Sequence, residues 1–162
     1  LGARLVYSDL IPIGAREENA LSIERLPLEQ LLTTADIVSL HVPLTASTRH
    51  MVGAEELALM KPSALLINTC RGPVVDEHAL YEALVDKQIA GAGLDVFETE
   101  PCPTESPLLA LPNVLLTPHA GGVTRDTWAR RGAFVFSNIQ RVCNGQPPQS
   151  EIGSTRTDLH HA

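Results

Sequence analysis

The chain has 162 residues, of which 44% are hydrophobic and 19% charged, with 11 Gly and 12 Pro. That balance suits one globular domain burying roughly 70% of its unfolded surface, and it excludes collagen, low-complexity disorder and a long coiled coil. Twelve Lys plus Arg stand against 19 Asp plus Glu, and the formal charge of −7 argues against a nucleic-acid partner held by phosphate neutralisation.

Short apolar runs at residues 4–8, 37–42, 64–68, 92–96 and 114–117 read as strands, nearly all apolar and without alternation, as expected for a parallel sheet covered on both faces. Between them, residues 28–34, 54–60 and 77–87 read as helices, the last with Ala79, Leu80, Ala83 and Leu84 in one stripe behind the N-cap candidate Asp76. A final helix starts near Thr124, carries Trp128, Gly132, Val135, Ile139 and Val142 as a seam expected to be buried, and stops at Asn144-Gly145 with Pro147 behind it. Trp128, Phe134 and Phe136 read as core or partner-facing residues. Residues 146–162 read as a loose polar tail, and the terminal His160 and His161 not as a metal site.

No apolar run reaches the ~18 residues of a membrane helix, so no membrane partner is expected. Cys70, Cys102 and Cys143 are too few for a disulfide framework and form no C-x-x-C pair, which favours a reducing, cytoplasmic setting and no metal. The opening at Leu1 lacks a signal-peptide layout and reads as a cut rather than a natural beginning.

Alternating strands and helices imply right-handed crossovers and an α/β, doubly wound, Rossmann-like parallel sheet, whose ligands bind beyond the carboxyl ends of its strands. There the sequence places Asp9, then His41-Val42-Pro43, then Asn68-Thr69-Cys70-Arg71-Gly72, then Asp95 to Glu100, then Pro118-His119-Ala120-Gly121-Gly122. All five clusters are expected along one rim. Arg71 offers a planar fork that matches a carboxylate bidentately. His119 can exchange a proton near neutral pH, and a neighbouring carboxylate such as Glu100 favours its charged form. An acid held by arginine with its carbonyl facing an imidazolium lacks only a hydride source, which a nicotinamide provides.

These clusters, with Leu5-Val6-Tyr7-Ser8-Asp9, Val75-Asp76-Glu77 and Gly91-Ala92-Gly93-Leu94-Asp95-Val96-Phe97-Glu98-Thr99-Glu100-Pro101, occur in an order that resembles the NAD-dependent D-isomer-specific 2-hydroxyacid dehydrogenases. The resemblance covers about residues 1–146, implying a partial NAD-binding domain there, with 147–162 a tail or the return to a substrate domain. It implies that Arg71 binds the carboxylate of a small 2-hydroxy or 2-keto acid, His119 is the general acid and base, and Glu100 orients and charges it. It implies further that Asp95 faces the nicotinamide end, and that Asp9 accepts the adenosine ribose hydroxyls, favouring NAD over NADP. His41, Val42, Pro43, Thr69, Cys70, Arg71, His119, Gly121 and Gly122 would line the rest of the cofactor. The family is also expected to form homodimers.

The family's G-x-G-x-x-G turn is absent, since only eight residues precede Asp9 and Gly91-Ala92-Gly93 enters a strand rather than opening a helix. In the order 3-2-1-4-5-6 the missing first strand is central, so a gap is expected in the sheet and weak or no NAD binding for residues 1–162 alone. Two readings follow: an oxidoreductase seen as a fragment, of glycerate/hydroxypyruvate or phosphoglycerate type, or a non-catalytic remnant serving as a binding or dimerisation module. Several residues carry plainer alternatives. Glu98 competes with Glu100 for the acidic role; His41 reads equally as cofactor contact or packing residue; Cys70 reads as a small side chain filling a tight turn rather than a redox-sensitive thiol. His50 and His78 read as surface residues, and Asp76-Glu77 as charges at a helix amino terminus.

Overall fold

A computed structural model describes residues 2–150. The chain divides into two compact units, Leu1–Ala120 and Gly121–Ala162. The first unit contains β1 (Leu5–Tyr7), α1 (Ala15–Leu21), β2 (Ile23–Arg25), α2 (Leu28–Thr34), β3 (Ile37–Leu40), α3 (Ala54–Leu59), β4 (Leu65–Asn68), α4 (Glu77–Val85), β5 (Gly91–Leu94) and β6 (Val114–Leu116), and the second is built on α5 (Arg125–Cys143). Every strand pairing is parallel. Alternating strands and helices with this pairing make the α/β, Rossmann-like fold that the sequence implied.

The strands do not form one continuous sheet. β1 pairs with β2, and a separate sheet runs β3-β4-β5-β6. The division falls between β1 and β3, where the sequence placed the gap. β2 and α1 were not anticipated, because α1 (AREENAL) buries no residue and β2 (IER) has two charged residues out of three. Polar contacts hold this pair instead: Tyr7 Oη donates to Glu18 at 2.6 Å, and Arg4 pairs with Glu24 at 2.6 Å.

In the four-stranded sheet the pleat decides burial. Val38, Leu40, Leu66, Ala92 and Leu94 face a core shared with Leu32, Leu57, Leu80 and Leu84 of the helices. The opposite face is not covered as expected: Ile37 is 63% and Leu115 72% exposed, and Leu65 is partly open. The apolar run therefore reflects strand identity without a second covering layer within this unit.

The helix caps follow the sequence. Asp76 accepts from the Ala79 amide at 3.0 Å, and Thr124 from the Thr127 amide at 3.1 Å, each satisfying a donor left unpaired in the first turn. Gly145, at φ +70°, ends α5 in the left-handed region that glycine adopts at no steric cost. The α5 seam is a correction: the helix has no buried residue, and Trp128, Val135, Ile139 and Val142 are each more than half exposed. The start of the expected tail is also not loose, since Arg141 Nε donates to the Pro147 carbonyl at 2.8 Å and the Gln149 amide to Asn138 Oδ1 at 2.7 Å. His160 and His161 lie outside the described residues. No described helix is long and apolar enough to cross a membrane, and the described residues hold no cluster of three or more metal-ligating side chains.

Candidate active site

Parallel pairing of β3 to β6 sends their carboxyl ends to one edge of the four-stranded sheet. The residues after β3, β4, β5 and β6 therefore share that edge, whereas Asp9 follows β1 in the two-stranded sheet. Asp9 is exposed; its Oδ1 accepts the Ile11 amide at 3.0 Å and its carbonyl accepts Arg25 Nη2 at 2.7 Å.

Asn68, the buried last residue of β4, shapes the next turn. Its Oδ1 accepts the Cys70 amide and thiol, both at 3.1 Å, while its Nδ2 donates to the Arg71 carbonyl at 3.0 Å. A buried amide must satisfy both ends of its dipole, and here it does so by folding the turn around itself. Sequence reasoning placed Asn68 in this cluster without giving it a role; a polar residue closing a wholly apolar strand was the available signal. Cys70 is thereby occupied within the turn.

Arg71 emerges exposed, with Nη1 donating to the Cys70 carbonyl at 2.6 Å. It lines a hollow of about 580 Å³ together with His41, Val42, Pro43, Leu44, Thr69 and Cys70. His41 is exposed on this wall and hydrogen-bonded through Nε2 to Ser39 Oγ at 2.9 Å, so it is not buried packing.

Behind Arg71, Gly72 lies so close to the next segment that a Cβ there would sit 1.9 Å from the Phe97 carbonyl group. Only glycine permits that approach. On the approached segment, the Phe97 amide donates to Glu100 Oε1 at 3.1 Å, and Glu100 Oε2 is 2.8 Å from His119 Nδ1. Both carboxylate oxygens are thus engaged, and Glu100 rather than Glu98 holds the imidazole. His119 has φ +51°, a left-handed conformation costly for a residue with a Cβ, and its amide donates to the Thr117 carbonyl at 3.0 Å.

The hydrogen bond with His119 does most to hold the Glu100 carboxyl below the ordinary carboxylate range. The Phe97 amide acts next in the same direction; burial opposes both, and the charges of His119 and Arg71 contribute least. Glu100 and His119 thus form one hydrogen-bonded pair. Asp95 is buried beside it; its Oδ1 accepts the Thr117 hydroxyl and, at 2.8 Å, the Ala120 amide, tying the end of β5 to the turn carrying His119. Gly121 and Gly122 open the second unit.

An exposed arginine, a carboxylate-braced imidazole and an open hollow thus lie at the carboxyl edge of a Rossmann-like sheet, the edge where such folds bind ligands. Residues 1–121 match the family described as D-isomer specific 2-hydroxyacid dehydrogenase, NAD binding domain, and the chain belongs to that family. It is 50% identical over 153 residues to a glyoxylate reductase of Korarchaeum cryptofilum, covering 93% of this chain and 45% of the relative. It is 48% identical over 149 residues to glyoxylate/hydroxypyruvate reductase B of Pectobacterium atrosepticum, covering 89% and 47%. Among solved structures, D-lactate dehydrogenase with NAD+ from Lactobacillus jensenii superposes with a TM-score of 0.85 at 32% identity, covering 94% of this chain and 49% of that one. The chain therefore spans about half the length of the relatives it matches.

Proposed function

We propose that the chain carries the acid–base and carboxylate-binding part of an NAD-dependent oxidoreductase that interconverts a D-2-hydroxyacid and its 2-keto acid, with glyoxylate and hydroxypyruvate as the first substrates to test. The observation that carries this reading is the 2.8 Å contact between His119 Nδ1 and Glu100 Oε2, at the strand edge that also carries Arg71.

The Arg71 guanidinium grips the substrate carboxylate and turns the adjacent carbonyl toward His119. Glu100 fixes the ring through Nδ1, leaving Nε2 to give a proton to the carbonyl oxygen during reduction and take it back during oxidation. When bound, the nicotinamide supplies or accepts the hydride. The nicotinamide end would sit in the hollow, against a wall of Pro43, Thr69 and Cys70 beside the Arg71 cation. Asp95 and, beyond the gap, Asp9 are the carboxylates assigned to the cofactor, and Gly121 and Gly122 follow His119-Ala120 in the sequence. No G-x-G-x-x-G turn for the pyrophosphate occurs within the 162 residues.

The test is NADH oxidation with glyoxylate or hydroxypyruvate, using the longest form the gene encodes. His119→Ala is expected to lower kcat by roughly 10²–10⁴-fold, the usual contribution of general acid–base catalysis. Arg71→Ala should raise KM and lower kcat together. Wild-type turnover that survives both substitutions overturns the assignment.

A further inference from the structure

Glu100 stands on an irregular segment between β5 and the turn at Pro107–Ala110, with no strand ladder to hold it. A carboxylate on such a segment braces His119 only if something else fixes the backbone beneath it. Two observations show what does. The first is the approach of Gly72 to the Phe97–Glu98 backbone. The second is a reciprocal pair of hydrogen bonds: the Glu98 amide donates to Glu77 Oε1 through a short contact, and the Glu77 amide donates to Glu98 Oε1 at 3.3 Å.

That same Glu98 oxygen is 2.8 Å from His50 Nε2, and the His50 amide donates to the Pro73 carbonyl at 2.8 Å. His50 and the first residue of α4 therefore both meet the Glu100 loop at the Glu98 carboxylate, and His50 is itself tied to Pro73. Two successive amides of the loop divide their work, that of Phe97 going to Glu100 and that of Glu98 to Glu77. Displacing this backbone moves the donor that fixes Glu100 Oε1, and with it the oxygen facing His119.

We propose that the reciprocal Glu77–Glu98 clasp sets the position of Glu100 against His119, making Glu77 a positioning residue for the acid–base pair. The catalytic consequence rests on the function proposed above; the geometric one does not. The plainer role for Glu77, an acid at a helix amino terminus, makes a different prediction for a neutral acceptor. Burial, opposed in part by the Glu98 amide hydrogen bond and aided by the Glu98 charge, pushes the Glu77 carboxyl up, and a glutamine, neutral like the protonated acid, keeps the acceptor oxygen. As a clasp, Glu77→Gln works and Glu77→Ala does not; as a helix-dipole charge, both fail alike.

The experiment follows the Glu100 carboxyl carbon by NMR through a pH titration of the wild-type protein, Glu77→Ala and Glu77→Gln. The expected result is that Glu100 titrates higher in Glu77→Ala, moving toward the ordinary carboxylate range, and stays near its wild-type position in Glu77→Gln. A folded Glu77→Ala with Glu100 unmoved, or an equal shift in both variants, overturns the proposal. Should Glu77→Ala fail to fold, Glu98→Ala decides: it removes the acceptor of the Glu77 amide, and a folded Glu98→Ala with Glu100 unmoved is equally fatal. In the turnover assay, Glu77→Ala should lower kcat more than it changes KM for NADH. A wild-type protein without turnover defeats the functional reading and leaves the NMR test standing.

Discussion

Gly72→Ala tests the packing beneath the candidate site most directly. A Cβ at residue 72 would lie 1.9 Å from both the carbon and the oxygen of the Phe97 carbonyl and 2.5 Å from the Glu98 nitrogen, where ordinary contact begins at 3.4 Å. The segments must therefore separate by about 1.5 Å, the difference between 3.4 and 1.9 Å. Every atom met is backbone, so no side-chain rotation relieves the clash. Overpacking of this kind costs about 1–3 kcal/mol, and weakening the Glu98–Glu77 and Phe97–Glu100 hydrogen bonds adds about 1–2 kcal/mol. A loss of about 2–5 kcal/mol is a large part of a domain's typical stability and lowers Tm by roughly 4–20 °C. If the protein still folds, a displacement of this size also depresses turnover by roughly 10²-fold. Thermal and urea unfolding measure the first effect, with Gly122→Ala as control, because nothing lies within 4 Å of a Cβ there. A Gly72→Ala protein as stable as that control refutes the close-packing argument.

Gly132→Ala, in the interior of α5 with open space around the added carbon, should stabilise the helix by about 0.5–1 kcal/mol; no gain in helical stability counts against its described geometry. The two perturbed carboxylates give opposite pH dependences. Glu100, held low, contributes stability that is present above the ordinary carboxylate range and lost as pH falls through its lowered pKa, so the wild type should lose ground to Glu100→Gln on acidification. Glu77, pushed up, favours the folded state in its protonated form; that contribution is lost as pH rises through its raised pKa, so Glu77→Gln should outperform wild type near neutrality and converge with it in acid. Unfolding curves measured across that range check both signs, and a pH-independent difference in either comparison refutes that assignment. For NAD, titration of the 162-residue chain followed by calorimetry should show weak or no binding because the pyrophosphate lacks a glycine-turn anion site; a micromolar dissociation constant refutes this.

Legibility in the sequence followed how local each determinant is. β3, β4, β5 and β6 were readable because four neighbouring residues suffice to make an apolar strand, and α4 because Asp76 caps a stripe spaced by the helix's own period. α1 and β2 carried no such signal: their cohesion comes from Tyr7 reaching Glu18 and Arg4 reaching Glu24, pairings that neither composition nor period announces. α5 shows the converse error. Its seam repeats at helical spacing, yet periodicity reports only that one face is apolar, and the exposed Trp128 and Ile139 show that it does not guarantee a covering layer.

The same distinction separates the site residues from their supports. Arg71, Glu100 and His119 belong to types whose chemistry is visible in isolation, so strand-end placement was enough to nominate them. The close pairing of Glu100 with His119 spans 19 positions in sequence, but each partner had its own reason to be noticed. Glu77 and Glu98, 21 positions apart, had none: one resembled a helix-terminal charge and the other a wrong-register rival of Glu100. Their function exists only in the contact, because each lends a carboxylate to the other's backbone amide. A group whose role is to hold another group's backbone leaves no mark in its own residue type. Such residues therefore come to light when a three-dimensional arrangement shows which amides would otherwise lack an acceptor, and the Glu98 amide on an irregular loop is one of these.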